Sequence, residues 1–395
     1  MLIITENYYI IFDMSGIQRD LQLVLESKLG KGKVLLLIGP RQVGKTTLLQ
    51  SMVNKLSPDQ KTQFWNCDES DVRQFLSEAN SAKLKSFVGN ADFIVIDEAQ
   101  RVKDIGLTLK LLHDNFPHVQ LAVTSSSSLD LSNSLNEPLT GRKFEYNLFS
   151  FSTNELVQHT SLLEETRQLQ NRLLYGWYPD VVNNPGDEKE ILTNIVNSYL
   201  YKDVFEFQDI RKPAVIEKLV QALALQVGSE VSFNELGNLL GIDVQTVQRY
   251  VDLLEKAYVI FHLRSYSKNV RNELKKSIKI YFYDNGVRNA VLSNFSPWEL
   301  RSDRGSLWEN FLISQRIKNN LYHNRSCKYY FWRTTQRQEI DFIEEAENKL
   351  FAYEFKFSGK KAGSKCPLTF SKNYPDVPFS VVTQDNYMDF VTDLV

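Results

Sequence analysis

Sulfur is scarce in this chain. Its 395 residues include three cysteines, Cys67, Cys327 and Cys366, which form no CxxC pair and no metal-ligand spacing. That usage points to a reducing compartment and argues against a structural zinc site. Five histidines are equally dispersed. Long apolar runs are missing as well: none reaches the ~18 residues of a membrane-spanning helix. The N-terminal MLIITENYYIIFDM is apolar but lacks the basic flank of a leader peptide. Net charge is only −2. The chain is therefore no polycation, and any nucleic-acid contact has to come from a local patch. No internal repeat and no low-complexity segment occurs. Together these absences predict a soluble, cytoplasmic protein with no membrane partner.

What is present is an ordinary globular composition, 43% hydrophobic and 24% charged. The length suits about two to four domains with several small cores. Val34–Ile38 (VLLLI), 93–96 (FIVI) and 121–123 (LAV) are short continuous apolar runs. They read as strands of a parallel sheet buried on both faces. Helical patterns at 46–56 and 82–87 lie between them. This rhythm ends near Phe149. Two helical stretches follow, 152–175 and 188–207, separated by the turn clusters GWYPD (176–180) and NNPGD (183–187). Lys212-Pro213 marks a boundary, then come two short helices and a hairpin to about Tyr283. The remainder mixes one helix with alternating strands. The expected division is 1–150, 151–212, 213–285 and 286–395.

Gly39-Pro40-Arg41-Gln42-Val43-Gly44-Lys45-Thr46 fits G-x-x-x-x-G-K-[ST], and Thr47 continues into a helix. Glycines let backbone N–H groups converge on phosphate oxygens, and the helix N-terminus adds positive potential. Lys45 is placed to reach the β- and γ-phosphates, and Thr46 to put its hydroxyl on Mg²⁺. The strand at 93–96 ends in Asp97-Glu98. Asp97 would help hold Mg²⁺ and Glu98 would polarise an attacking water. A third strand ends in Thr124 and Ser125 to Ser128, where one polar side chain, taken as Ser125, would sense a γ-phosphate. Arg142 is a candidate for stabilising transition-state charge, either in its own chain or across a homo-oligomer. Its bland alternative is a surface arginine facing Glu145.

The stretches IGPRQVGKTTLL, VIDEAQRV, TSSSSLDLS and LTGRKFEYNLFSFSTNEL resemble the AAA-plus-type P-loop ATPases of bacteria and archaea that carry a C-terminal domain of unknown function. The resemblance covers roughly residues 17–357. It implies ATP as ligand and a five-stranded sheet with phosphate loop, acidic strand and sensor on adjacent strands, followed by a helical lid. ATP rather than GTP rests on this resemblance, alongside the lack of an Asn-Lys-x-Asp guanine motif. Gly176-Trp177-Tyr178-Pro179-Asp180 departs from the family's usual Gly-Gly-Phe-Pro-Glu, away from the ATP site.

Downstream, Ser232 and Glu235 form a capping box, and Asp243 caps a helix with an apolar stripe at Val247, Val251 and Leu254. Helix, turn, helix and hairpin read as a winged helix. Its second helix would expose Gln245, Gln248, Arg249 and Asp252, a mixed face. From Arg264 to Lys279 there is a net +5, from Arg264, Lys268, Arg271, Lys275, Lys276 and Lys279 against Glu273. A basic projecting wing suits nucleic-acid backbone contact. A solvated wing, or one docked on acidic parts of this chain, is the competing reading.

Near the C-terminus, KLFAYEFKFSG alternates like a half-buried strand and carries Glu354 and Lys356 on one face. Asp341 ends the preceding strand. This D…[DE]-x-K order is that of the restriction-endonuclease-like fold, in which two carboxylates bind Mg²⁺ and the lysine activates water. Glu309, on the helix before, is placed to add a third metal ligand, or to act as the last residue of a capping box begun by Ser306. Acid-x-Lys pairs arise about three times by chance in such a length, so context carries the reading. The family resemblance extends to this domain; in many members the site is lost. The expected fold class is thus α/β: a P-loop NTPase parallel sheet with helical lid, then a winged helix and a PD-(D/E)xK-like α/β domain. The favoured function is Mg²⁺-dependent ATP hydrolysis acting on nucleic acid. A signalling or scaffold ATPase with an inert nuclease fold, and an ATP-gated DNA nuclease, stay open.

Overall fold

A computed structural model describes residues 16–78, 80–126, 138–200, 213–267, 278–358 and 365–393. Most of the basic wing (268–277), Ser127, Ser128 and the N-terminal 1–15 lie outside the described residues.

The first half is built on five parallel strands: β1 Val34–Ile38, β2 Thr62–Asn66, β3 Phe93–Asp97, β4 Gln120–Ser125 and β5 Lys143–Asn147. Their order is β2-β3-β4-β1-β5. The apolar runs follow from burial on both faces. Leu35 and Leu37 enter one core while Val34, Leu36 and Ile38 enter another. Every residue of β1 and β3 is buried. The helices Ser70–Ser77, Ser81–Val88 and Ile105–Asn115 cover the second of these faces. The short helices Thr153–His159, Leu169–Tyr175, Pro179–Asn183 and Glu188–Ile195 bury apolar residues in the first of these cores. Ser152 and Glu155 form a full capping box at the head of this group.

A second sheet has seven strands, adding β6 Glu230–Val231, β7 Ile260–Ser265, β8 Ile278–Phe282, β9 Cys327–Arg333, β10 Glu339–Ala346, β11 Lys349–Phe355 and β12 Phe379–Val382. The order is β12-β11-β10-β9-β7-β8-β6. The strands β6 to β8 are antiparallel neighbours, interleaved with the helices Phe233–Leu240 and Val244–Lys256. The strand β7 then pairs in parallel with β9, through Arg264↔Tyr330 and Ser265↔Phe331. A boundary at 285/286 therefore cuts across one continuous sheet. Nothing in the sequence signals this pairing, because the partners lie about sixty residues apart.

The helix Arg304–Tyr322 bonds to β8 through Asn310 and at its far end sets the Tyr322 hydroxyl on Phe149 and Arg19. It is buried nearly all round, yet carries Asn310, Gln315, Lys318, Asn319 and Asn320. Buried polar groups persist when bonded. Asn310 pairs with both backbone groups of Phe282, and Gln315 accepts from the Thr153 N–H. The helix begins at Arg304 with Asp303 before it, so Ser306 opens no capping box. Glu309 is left for other partners.

Candidate functional site

The phosphate loop leaves the end of β1 in a tight corner. A Cβ on Gly39 would lie 1.9 Å from the Leu148 carbonyl oxygen, so no larger residue fits. Gln42 and Gly44 take positive φ (61° and 90°), which turns the loop inward before the helix Lys45–Asn54. Lys45 is only 5% exposed and donates to the Gly39 and Pro40 carbonyls at 2.9 Å each. Its ammonium sits inside the loop. The Thr46 hydroxyl donates to both Asp97 oxygens, at 3.1 and 2.9 Å. The loop hydroxyl and the acid of β3 thus face one point, as an octahedral Mg²⁺ held by few protein oxygens requires.

Thr124 joins this group. Its hydroxyl donates to Asp97 at 2.5 Å and accepts from the Glu98 N–H at 2.9 Å. Glu98 has φ 53°, a left-handed backbone uncommon for a non-glycine residue. Gln100 donates to the Glu98 carboxylate at 2.5 Å and to the Ser126 hydroxyl at 2.8 Å. So Thr124 and Ser126 face the acids. Ser125, the sequence candidate, lies between them in β4, where side chains alternate faces, and stands opposite Ile38. Its carbonyl accepts from the Gly39 N–H at 3.2 Å. Thr124 is therefore the residue of this strand whose hydroxyl is seen on the acids. The signal was a threonine at the strand's end beside the serine run.

Arg142 is a second correction. Its carbonyl accepts from the Val34 N–H, and its guanidinium pairs with Asp114 at 2.8 Å. It stands where β1 begins, and the phosphate loop begins where β1 ends. Five residues at ~3.3 Å each separate the two by roughly 16 Å. Arg142 does not serve this chain's own phosphate site, and its ion-pair partner is Asp114 rather than Glu145.

Sequence reasoning missed two parts of the site. A cavity of about 320 Å³ opens beside the loop, lined in part by Ile17, Thr47, Leu48, Phe151, Pro179 and Asn183. Its size and mixed lining suit the base and sugar of a nucleotide. Arg19, 5% exposed, donates to the Val43 carbonyl of the loop (2.7 Å), the Phe149 carbonyl (2.7 Å), Glu155 (2.9 Å) and the Tyr322 hydroxyl (3.3 Å). One guanidinium so ties the loop, the helix Thr153–His159 and the helix Arg304–Tyr322 together. Nearby, Lys318 donates to Ser150, which donates to Asp284. Burial pulls the Lys318 ammonium down to about 8, against the pull of Asp284 and Glu155.

The C-terminal candidates also meet. The register Phe342↔Tyr353 sets Asp341 beside Glu354 across β10 and β11. Asp341 accepts from the Phe355 N–H at 2.8 Å, and Lys356 pairs with Glu354 at 2.5 Å. Burial, then Glu309 and Glu354, push the Asp341 carboxyl far above the usual carboxylate range. Glu309 accepts from the Tyr281 hydroxyl at 2.6 Å and from Lys279 at 3.3 Å. Lys279 also pairs with Glu339 at 2.5 Å. Yet among the described residues no group of three or more His, Cys, Asp or Glu side chains is arranged to hold a metal ion. The expected ligand set Glu309, Asp341 and Glu354 is thus not arranged as a metal cage, and each of the three pairs with protein donors. Lys279, counted with the basic wing, is buried here and unavailable to phosphate, whereas Arg264 is exposed.

Residues 31–157 match the family model described as AAA domain. Residues 166–297 and 304–393 match two domains of unknown function, DUF8612 and DUF4143. Uncharacterized proteins of Mycobacterium tuberculosis and Methanocaldococcus jannaschii are 28% and 25% identical. The alignments cover 86% and 88% of this chain and 74% and 79% of those proteins. Among solved structures, the Thermotoga maritima RuvB Holliday junction branch migration motor is 18% identical with a TM-score of 0.32, covering 66% of this chain and 94% of that one. Drosophila ORC bound to AT-rich DNA and Cdc6 is 12% identical with a TM-score of 0.27, covering 71% and 91%. No described helix is long and apolar enough to cross a membrane. The chain thus matches an AAA domain in its first half and domains of unknown function over most of the rest.

Proposed function

We propose that this protein binds ATP with Mg²⁺, hydrolyses it, and uses the cycle to alter the setting of its C-terminal half on nucleic acid. The observation that carries this reading is the convergence of Lys45, Thr46, Asp97, Glu98 and Thr124 at the end of β1, β3 and β4. Lys45 would neutralise phosphate charge, and Thr46 and Asp97 would hold Mg²⁺. When bound, the ion supplies Lewis-acid stabilisation of phosphoryl oxygens. Glu98 would accept the proton of the attacking water, with Thr124 and Gln100 fixing its backbone and carboxylate. Full-length protein should turn over ATP, and Lys45→Ala should stop it. Unchanged turnover in that variant refutes the assignment.

The nucleic-acid part rests on the segment from Pro213 to Phe282. Its elements run helix, strand, helix, helix, strand, strand, with β8 between β6 and β7. That order supports a winged helix, and Lys268, Arg271, Lys275 and Lys276 lie in the sequence between β7 and β8. The C-terminal order, a long helix, β9 to β11, the helix Leu368–Asn373 and then β12 parallel to β11, supports the nuclease-like fold. A second reading has these domains bind protein, with the nuclease fold inert. It is favoured by the ion-paired state of Glu309 and Glu354. The third, an ATP-gated nuclease, predicts metal-dependent plasmid nicking that Asp341→Ala abolishes.

A further inference from the structure

The side chain of Lys279 has no role in nucleotide chemistry, yet it is among the most enclosed cations described. It is 2% exposed, on β8, opposite Glu230 and Leu263 in the ladder. Lysine is almost never fully buried unless paired. Here the ammonium lies 3.3 Å from Glu309 and 2.5 Å from Glu339, with the Phe331 ring 5.4 Å away. Burial pulls its basicity down, but Glu309, Glu339 and Asp341 more than offset that and leave it raised.

The remaining donors close the cluster. The Tyr281 hydroxyl is on Glu309, the Phe355 amide on Asp341, Lys356 on Glu354, and Arg333 3.6 Å from Glu339. These are hard oxygen groups of the kind that suit Mg²⁺ or Mn²⁺. A divalent ion among them would stand against an enclosed ammonium, and like charges repel strongly where water is excluded.

We propose that Lys279, paired with Glu309 and Glu339, is the resident cation of this cluster and takes Glu309 away from any divalent metal it would share with Asp341 and Glu354. Two consequences follow from its position on β8. The cluster joins the antiparallel strands β6 to β8 to the helix Arg304–Tyr322 and to β10. It also holds no metal while β8 stays paired. The inference concerns the C-terminal half alone, so a failed ATPase assay leaves it standing.

The test uses Mn²⁺ alone, without nucleotide, titrated into the full-length chain and followed by the paramagnetic resonance of the free ion. Wild type and Asp341→Asn should bind Mn²⁺ alike. Lys279→Met keeps the apolar stem and removes the charge. It should take up about one further ion per chain, with affinity raised about tenfold or more, and lose it again when Asp341→Asn is added. An Asp341-dependent ion in the wild type overturns the proposal. So does a folded Lys279→Met chain that gains none. If Lys279→Met does not fold, the comparison of wild type with Asp341→Asn decides alone.

Discussion

Thr124 makes the orienting contacts to both acids of the site, through the Asp97 carboxylate and the Glu98 amide. Removing an outer partner of a reacting group costs about 10–100-fold in activity. Thr124→Val should therefore lower kcat for ATP by that factor with little change in KM, and Thr124→Ser should restore most of it. An equal rise in KM would place the residue in ground-state binding instead. At the same scale, Lys318 predicts a pH effect. Its folded ammonium titrates near 8 against 10.5 for an ordinary lysine, among Asp284, Glu155 and Arg19. Between these values the unfolded chain holds a proton the folded chain has released, so stability rises with pH. Relative to Lys318→Met, wild type should gain up to about 3 kcal/mol from pH 8 to pH 10.5, read by denaturant unfolding. A difference flat in pH contradicts the burial of a charged Lys318.

At the scale of elements, the corner after β1 depends on Gly39. Gly39→Ala would push a methyl group into the Leu148 carbonyl, backbone against backbone. It should cost about 2–4 kcal/mol and abolish nucleotide binding, seen together by calorimetry. A stable variant that still binds would show the corner to be compliant. The strands β1, β3 and β4 were legible because sheet burial on both faces writes a continuous apolar run. The edge strands β2 (TQFWN) and β5 (KFEYN) were not, since Trp65 alone of their ten residues is buried. The proximity of Asp341 and Glu354 was legible from strand period and a short turn, and the paired register bears it out. The place of Arg142 at the far end of β1 was not legible, because motif order along the chain says nothing of which end of a parallel sheet a residue occupies; that place bears on its own chain's site and not on a role across a homo-oligomer.

For the whole molecule, the chain joins the five-stranded parallel sheet to a second sheet through the helix Arg304–Tyr322. Tyr322 accepts from the Arg19 that also holds the phosphate loop. Such long-range joints leave no local sequence pattern, so neither Arg19 nor Lys279 could be read from motifs. The remaining wing bases give a salt-dependent prediction. If they contact nucleic-acid phosphates, Lys275→Glu with Lys276→Glu should weaken DNA binding and shallow its salt slope by about 2. Binding that survives unchanged removes the wing from the interface. Hydrolysis at the acidic pair is read by Mg²⁺-dependent ATP turnover beside ATP affinity in Glu98→Gln. The expected result is affinity within about threefold of wild type and turnover reduced by about 10²-fold or more. Turnover equal to wild type would contradict the account.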